Sequence, residues 1–184
     1  MDEDKLLKQL ARCCSAPFIL PDIEDRDQRD QFVLSVVQRE FKNHGDVDRC
    51  FVFRATQPIP ALVRIETRLT DELAQYAPWL GRAFASTFGA RQLYHLSEMW
   101  FTQAQKGPYV PPSRNPERRE ALMVVSEDAT RLPPMRIWIA NITRDDKGKG
   151  TAGEWEDFGD IGGRLTYILP PEAYIGAGKP VPQA

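Results

Sequence analysis

Two glutamates, Glu98 and Glu120, stand inside otherwise apolar runs, LSEMWF and REALMVVS. Alternation puts Tyr94, Leu96, Glu98 and Trp100 on one face of the first run, and Glu120, Leu122 and Val124 on one face of the second. If the runs pair in an even register, both carboxylates lie on the same side of a sheet. Two carboxylates among apolar neighbours suit general acid–base catalysis, which needs one raised pKa, or a shared divalent cation. The plainer expectation is structural: Arg118, Arg119, Arg136 or Arg164 neutralises them in a buried ion-pair network.

A second constellation is His44-x-Asp46-x-Asp48. In an extended segment all three side chains point one way, as a metal requires. The same residue types also stop helices and shape turns, and that is the preferred reading. His95 faces away from Glu98 on a regular strand, so no nucleophilic triad is arguable around it.

Three loops could serve binding. Gly162-Gly163-Arg164, preceded by Asp160, offers backbone amides and a guanidinium to an anion, although a glycine pair is common at a bulge. The Pro-rich loop over residues 106–114 carries Tyr109, which suits a docking partner as well as it suits rigid loop packing, and Arg118 and Arg119 follow it. Arg144, Lys147 and Lys149 make a basic loop too small to indicate nucleic-acid recognition. No motif for a cofactor is present, and none is expected.

A chain of 184 residues can bury a sizeable core, and its 42% hydrophobic and 27% charged residues are those of a globular protein. The formal net charge of -2 gives no bulk attraction to nucleic acid or to an anionic membrane surface. Cys13 and Cys14 are adjacent and Cys50 is alone, a spacing that suits neither a zinc site nor a disulfide framework. The amino terminus, MDEDKLLKQLARCC, lacks a basic start and a continuous apolar run, and no window approaches a transmembrane helix. A cytoplasmic location is expected.

The elements that must position these residues can be read from periodicity. A short helix is expected over residues 4–13, then a connector over 15–22 interrupted by Pro17 and Pro21. Phe32, Val33, Val36, Val37 and Phe41 form an apolar stripe of helical period and predict a helix over 23–42, with Asp27, Arg29 and Asp30 on its solvated face. Gly45 is suited to its left-handed cap. Strands are expected over 49–55 and 61–67, and a helix over 71–88 with Thr70 as N-cap. Gly81 within that helix marks a close packing contact. Residues 91–126 read as a strand, a Pro-rich loop and a second strand, and strands over 135–144 and about 160–169 follow, with residues 145–153 as a flexible hairpin loop. No βα alternation or glycine-rich strand-to-helix turn suggests a doubly wound nucleotide fold.

The predicted fold class is therefore α+β, a mainly antiparallel sheet with about three helices packed on one face. One domain is expected over 1–169, with a Pro-rich, extended and flexible tail over 170–184.

The run Ser97-Glu98-x-Trp100, followed by Pro112-Ser113-x-x-Pro116-x-Arg118-x-Glu120-Ala121-Leu122, resembles a pattern of small uncharacterised bacterial and phage proteins over about the middle third of the chain. The resemblance implies a phage or prophage accessory protein and carries no activity. The function expected is non-catalytic binding of a protein partner, or self-association. The alternative is a metal-assisted hydrolase or nuclease built on Glu98 and Glu120.

Overall fold

In the computed structural model the described residues are 3–56, 60–70, 72–101, 116–131, 134–159 and 168–176. The chain runs α1 (Glu3–Arg12), β1 (Phe18–Leu20), α2 (Arg26–His44), β2 (Cys50–Ala55), β3 (Ala61–Glu66), α3 (Ala77–Thr87), β4 (Gln92–Phe101), β5 (Arg119–Asp128), β6 (Met135–Arg144), β7 (Gly150–Ala152), β8 (Glu156–Asp157) and α4 (Pro171–Gly176). All strand pairings among these residues are antiparallel, in the order β1-β3-β2-β4-β5-β6-β7, with β8 also on β6. The fold is α+β, as expected, but the sheet is larger than the helical part.

Local chemistry explains the best-placed elements. Asp25 caps α2 by accepting the Gln28 N–H at 2.8 Å. Gly45 ends the helix at φ 79°, donating its N–H to the Phe41 carbonyl at 2.7 Å. The expected helix over 71–88 is shorter. A 3-10 turn (Ala74–Tyr76) precedes α3, because Pro78 is tolerated in a helix's first turn, where its missing N–H is not needed. Thr70 contributes its carbonyl there, accepting from Leu73 and Ala74 N–H. At Gly81 an added Cβ would meet Ile168 Cγ2 at 2.6 Å and Phe51 Cε1 at 3.0 Å, the close contact anticipated from the sequence.

The helices do not share one face. Val33, Leu34, Val37 and Phe41 of α2 pack against Val52, Leu62, Tyr94, Leu96, Leu122 and Val124 on the first face. Phe51, Phe53, Val63 and Leu93 on the second face pack against α3 and against Ala173 and Tyr174 of α4, and α1 joins there through Leu10 against Leu73 and Leu80. Both faces of β2 are apolar, so two helical layers are needed to keep it from water.

Three further expectations change. The connector over 15–22 contains β1, which pairs with β3. The segment expected as an extended tail begins with α4, whose Tyr174 is 2% exposed. The loop over 145–153 closes a tight turn and continues as β7. The strand expected over 160–169 lies outside the described residues up to 167, and Ile168 and Leu169 are buried without strand pairing.

Candidate functional site

β4 and β5 pair with Trp100 opposite Glu120 and Glu98 opposite Leu122, so the two carboxylates share the first face as diagonal neighbours. This is the even register that the alternation argument required. The group lying between them is Arg144, at the end of β6. Its Nε donates to Glu120 Oε2 at 2.7 Å, its Nη2 bonds Glu120 Oε1, and the same nitrogen lies 3.8 Å from Glu98 Oε2. Glu98 also accepts the Val47 N–H at 2.9 Å. Burial pushes the Glu98 carboxyl up from its ordinary range and the Glu120 charge adds to the rise, while the Val47 N–H and Arg144 oppose it. The arrangement is an acid–arginine–acid bridge.

Among the described residues the neutralising arginine is Arg144, which is not one of the four expected. The Arg118 guanidinium lies over the Trp100 ring at 4.4 Å. Arg119 is exposed at the start of β5. Arg136 bonds Asp157, lies 3.6 Å from Asp30 and stacks over Trp138 at 4.9 Å. Arg164 and Tyr109 fall outside the described residues.

His44, Asp46 and Asp48 are not presented as one ligand set. His44 is the last residue of α2, and the left-handed turn at Gly45 breaks the extended alternation. Asp48 is engaged by Arg68 at 2.8 Å. Among the described residues no group of three or more His, Cys, Asp or Glu is placed to hold a metal. Asp46, Asp48 and Glu98 do line a common cleft of about 370 Å³, together with Arg49, Thr67, Arg68 and Ser97. That cleft is polar and sets two arginines against its three acids.

Comparison with protein-family models, with curated proteins and with solved structures finds no match. What can be said of this chain's chemistry therefore rests on its own side chains.

Several of the most tightly held polar groups escaped the sequence reading. Glu127 is 1% exposed on the second face. It accepts the backbone N–H of Ile168 at 2.7 Å and of Leu169 at 3.0 Å, and the Tyr174 hydroxyl, tying the carboxy-terminal segment to β5. Burial raises its pKa and these three donors oppose the rise.

Arg29 and Asp30, expected on the solvated side of α2, are 4% and 3% exposed. Each found partners that make burial tolerable. Arg29 Nη1 donates to the Ile23 and Glu24 carbonyls, the latter at 3.0 Å. Asp30 Oδ1 accepts the Tyr94 hydroxyl at 2.6 Å, and Gln92 Nε2 donates to that Tyr94 oxygen at 2.8 Å. Burial raises the Asp30 pKa. The only sequence signal for either site was a charged residue in or beside an apolar stripe.

His95 lies on the second face, as expected from alternation, stacked on Phe51 at 4.9 Å. Its buried Nε2 has no hydrogen-bond partner among the described residues. Burial and then the nearby Arg49 charge lower its pKa to about 4, so the ring is neutral at pH 7.

Proposed function

We propose that this chain is a non-catalytic protein that binds a protein partner through the β1 edge of its sheet. The observation that carries the reading is the exposure of that edge. β1 is a terminal strand, and its Phe18 and Ile19 are 54% and 69% exposed. An open apolar edge invites another chain, and β1, although short and flanked by Pro17 and Pro21, carries no charge among its three residues. Three apolar residues in a row at such an edge favour a surface meant to be covered.

The metal-assisted hydrolase is the weaker reading, because Arg144 occupies the Glu98–Glu120 pair with charge-assisted bonds. No helix among the described residues is long and apolar enough to cross a membrane. We place the protein in the cytoplasm and, following the Ser97–Leu122 pattern, among phage or prophage accessory factors.

The test is site-specific photo-crosslinking at Ile19 in the expressing host, with an exposed position on α1, Lys5, as control. A discrete adduct at Ile19, whether a defined partner or a second copy of the chain, is expected, and it should be lost in a Phe18→Lys variant of unchanged melting temperature. A monomer by light scattering that gives no adduct at Ile19 sinks the proposal.

A further inference from the structure

At the opposite edge of the sheet, α2 and β7 enclose a groove of about 690 Å³. Its floor is set by Gly150, where an added Cβ would meet Phe41 Cζ at 2.5 Å, so the strand lies directly under the helix. Gln38 Nε2 donates to the Gly153 carbonyl at 3.2 Å and fixes the spacing of the two walls.

The backbone of β7 is turned for pairing. Asp145 N–H donates to the Lys149 carbonyl at 3.0 Å, and Gly153 N–H donates to the Asn141 carbonyl at 2.9 Å. With Thr143 opposite Thr151 between them, antiparallel alternation aims the N–H and C=O of Gly150 and Ala152 away from β6. Gly150 is buried, whereas Ala152 is only half-buried, and among the described residues no hydrogen bond takes up its N–H or C=O.

The charge of the groove is one-sided. Arg39, Lys42 and Lys149 line it beside Ser35 and Thr151, and no aspartate or glutamate does. All three cations are exposed, and none makes an ion pair among the described residues. An adjoining cleft of about 510 Å³ shares Lys42 and Lys149 and adds Lys147, with Asp46 its only carboxylate. In sequence Arg144, Lys147 and Lys149 form a small basic loop, and the fold joins it to the end of α2.

We propose that this groove takes an extended acidic segment of a protein partner, added as a strand on β7 with its carboxylates on Arg39, Lys42 and Lys149. Strand addition supplies main-chain hydrogen bonds, and the cationic wall selects the occupant by charge. A purely electrostatic surface for nucleic acid needs no strand edge, and the net charge of -2 does not favour one. The site lies at the other end of the sheet from β1, so failure of either reading leaves the other standing.

The experiment is fluorescence anisotropy on the full chain with four labelled probes. These are an eight-residue peptide alternating glutamate and threonine, its lysine-for-glutamate counterpart, the acidic peptide N-methylated at alternate amides, and a single-stranded oligodeoxynucleotide of equal charge. Binding of the acidic peptide is expected, with the other three at least tenfold weaker. Lys42→Glu with Lys149→Glu should weaken the acidic peptide at least tenfold while the circular dichroism spectrum is unchanged, and Ile19→Lys should leave its binding as it is. Equal binding of the N-methylated peptide overturns strand addition. Equal or tighter binding of the oligonucleotide overturns the choice of a protein segment, and no binding of the acidic peptide overturns the proposal altogether.

Discussion

Glu120 and Glu127 occupy the two ends of β5, on opposite faces, and are held in opposite ways. Glu120 shares Arg144 with Glu98 at the rim of the first face, where one side chain compensates two charges. Glu127 is enclosed on the second face and is compensated by backbone N–H groups and a tyrosine hydroxyl, with no cation in bonding contact among those partners. The pair at the rim resembles chemistry in the sequence and is an ion-pair bridge in the fold. Glu127 reads in sequence as a strand's trailing acid, and in the fold it anchors the carboxy-terminal segment. A carboxylate's role follows from its donors, and donors are a tertiary property.

The largest effect expected from this contrast is at Glu127. Glu127→Leu leaves the Ile168 and Leu169 N–H groups buried without acceptors, at roughly 1–3 kcal/mol each. A loss of about 4 kcal/mol in urea unfolding is expected, with new proteolytic sensitivity near α4. Tyr174→Phe, which removes one donor and leaves the Ile168 and Leu169 N–H groups their acceptor, should cost only about 1 kcal/mol. Equal losses for the two substitutions break the idea that Glu127 works by satisfying backbone.

His95 sharpens the comparison through pH, since it shares the buried second face. Its folded pKa is depressed to about 4 from an ordinary 6.5. Between these values the unfolded chain takes up a proton that the folded chain does not, so stability is present above pH 6.5 and falls as the pH drops toward 4. The expected loss is on the order of 3 kcal/mol. Glu127 and Asp30, whose pKa values are raised, act with the opposite sign and oppose this loss at the acid end. Urea titrations of His95→Phe at pH 7 and pH 4.5 should show a smaller acid loss than the native chain. Parallel losses mean that the ring is not held neutral.

The smallest effect is expected at the bridge. Arg144 and Glu98 are about a third and a quarter exposed, so solvent screens them. Arg144→Met should cost about 1 kcal/mol at pH 7 and low salt, through repulsion between Glu98 and Glu120. The deficit should shrink toward pH 4 as the Glu98 carboxyl protonates, because Arg144 opposes the rise of its pKa and removing the arginine lifts that restraint. A melting temperature that falls equally at both pH values makes Arg144 a packing residue instead.

Much of the architecture is written in short stretches of chain. The helix α2 with Val33, Val37 and Phe41 of its buried face, its left-handed stop at Gly45, the alternation of β4, β5 and β6, and the tight contact at Gly81 were legible, whereas Leu34 took the place expected for Phe32 and Val36. Each depends on residues a few positions apart, where periodicity and backbone sterics act directly. The parity that places Glu98 and Glu120 together was also readable, because a sheet has only two sides.

What lies between those carboxylates was not readable. Arg144 reaches them through the β5–β6 pairing, 24 residues from Glu120, and any of several arginines satisfied the sequence argument equally. The donors of Glu127 come from 41, 42 and 47 residues away, the partners of Asp30 from a facing strand, and the β7 groove from a helix that precedes it by more than a hundred residues. The sequence by itself determined the long helix α2 and the alternation of the long strands, because those are local steric and hydrophobic choices, whereas the short elements β1, β7 and α4 form only against their neighbours. Only the tertiary structure decided which charges are compensated, which edges stay open and on which face each helix lies. Those outcomes depend on groups that burial brings together across the chain.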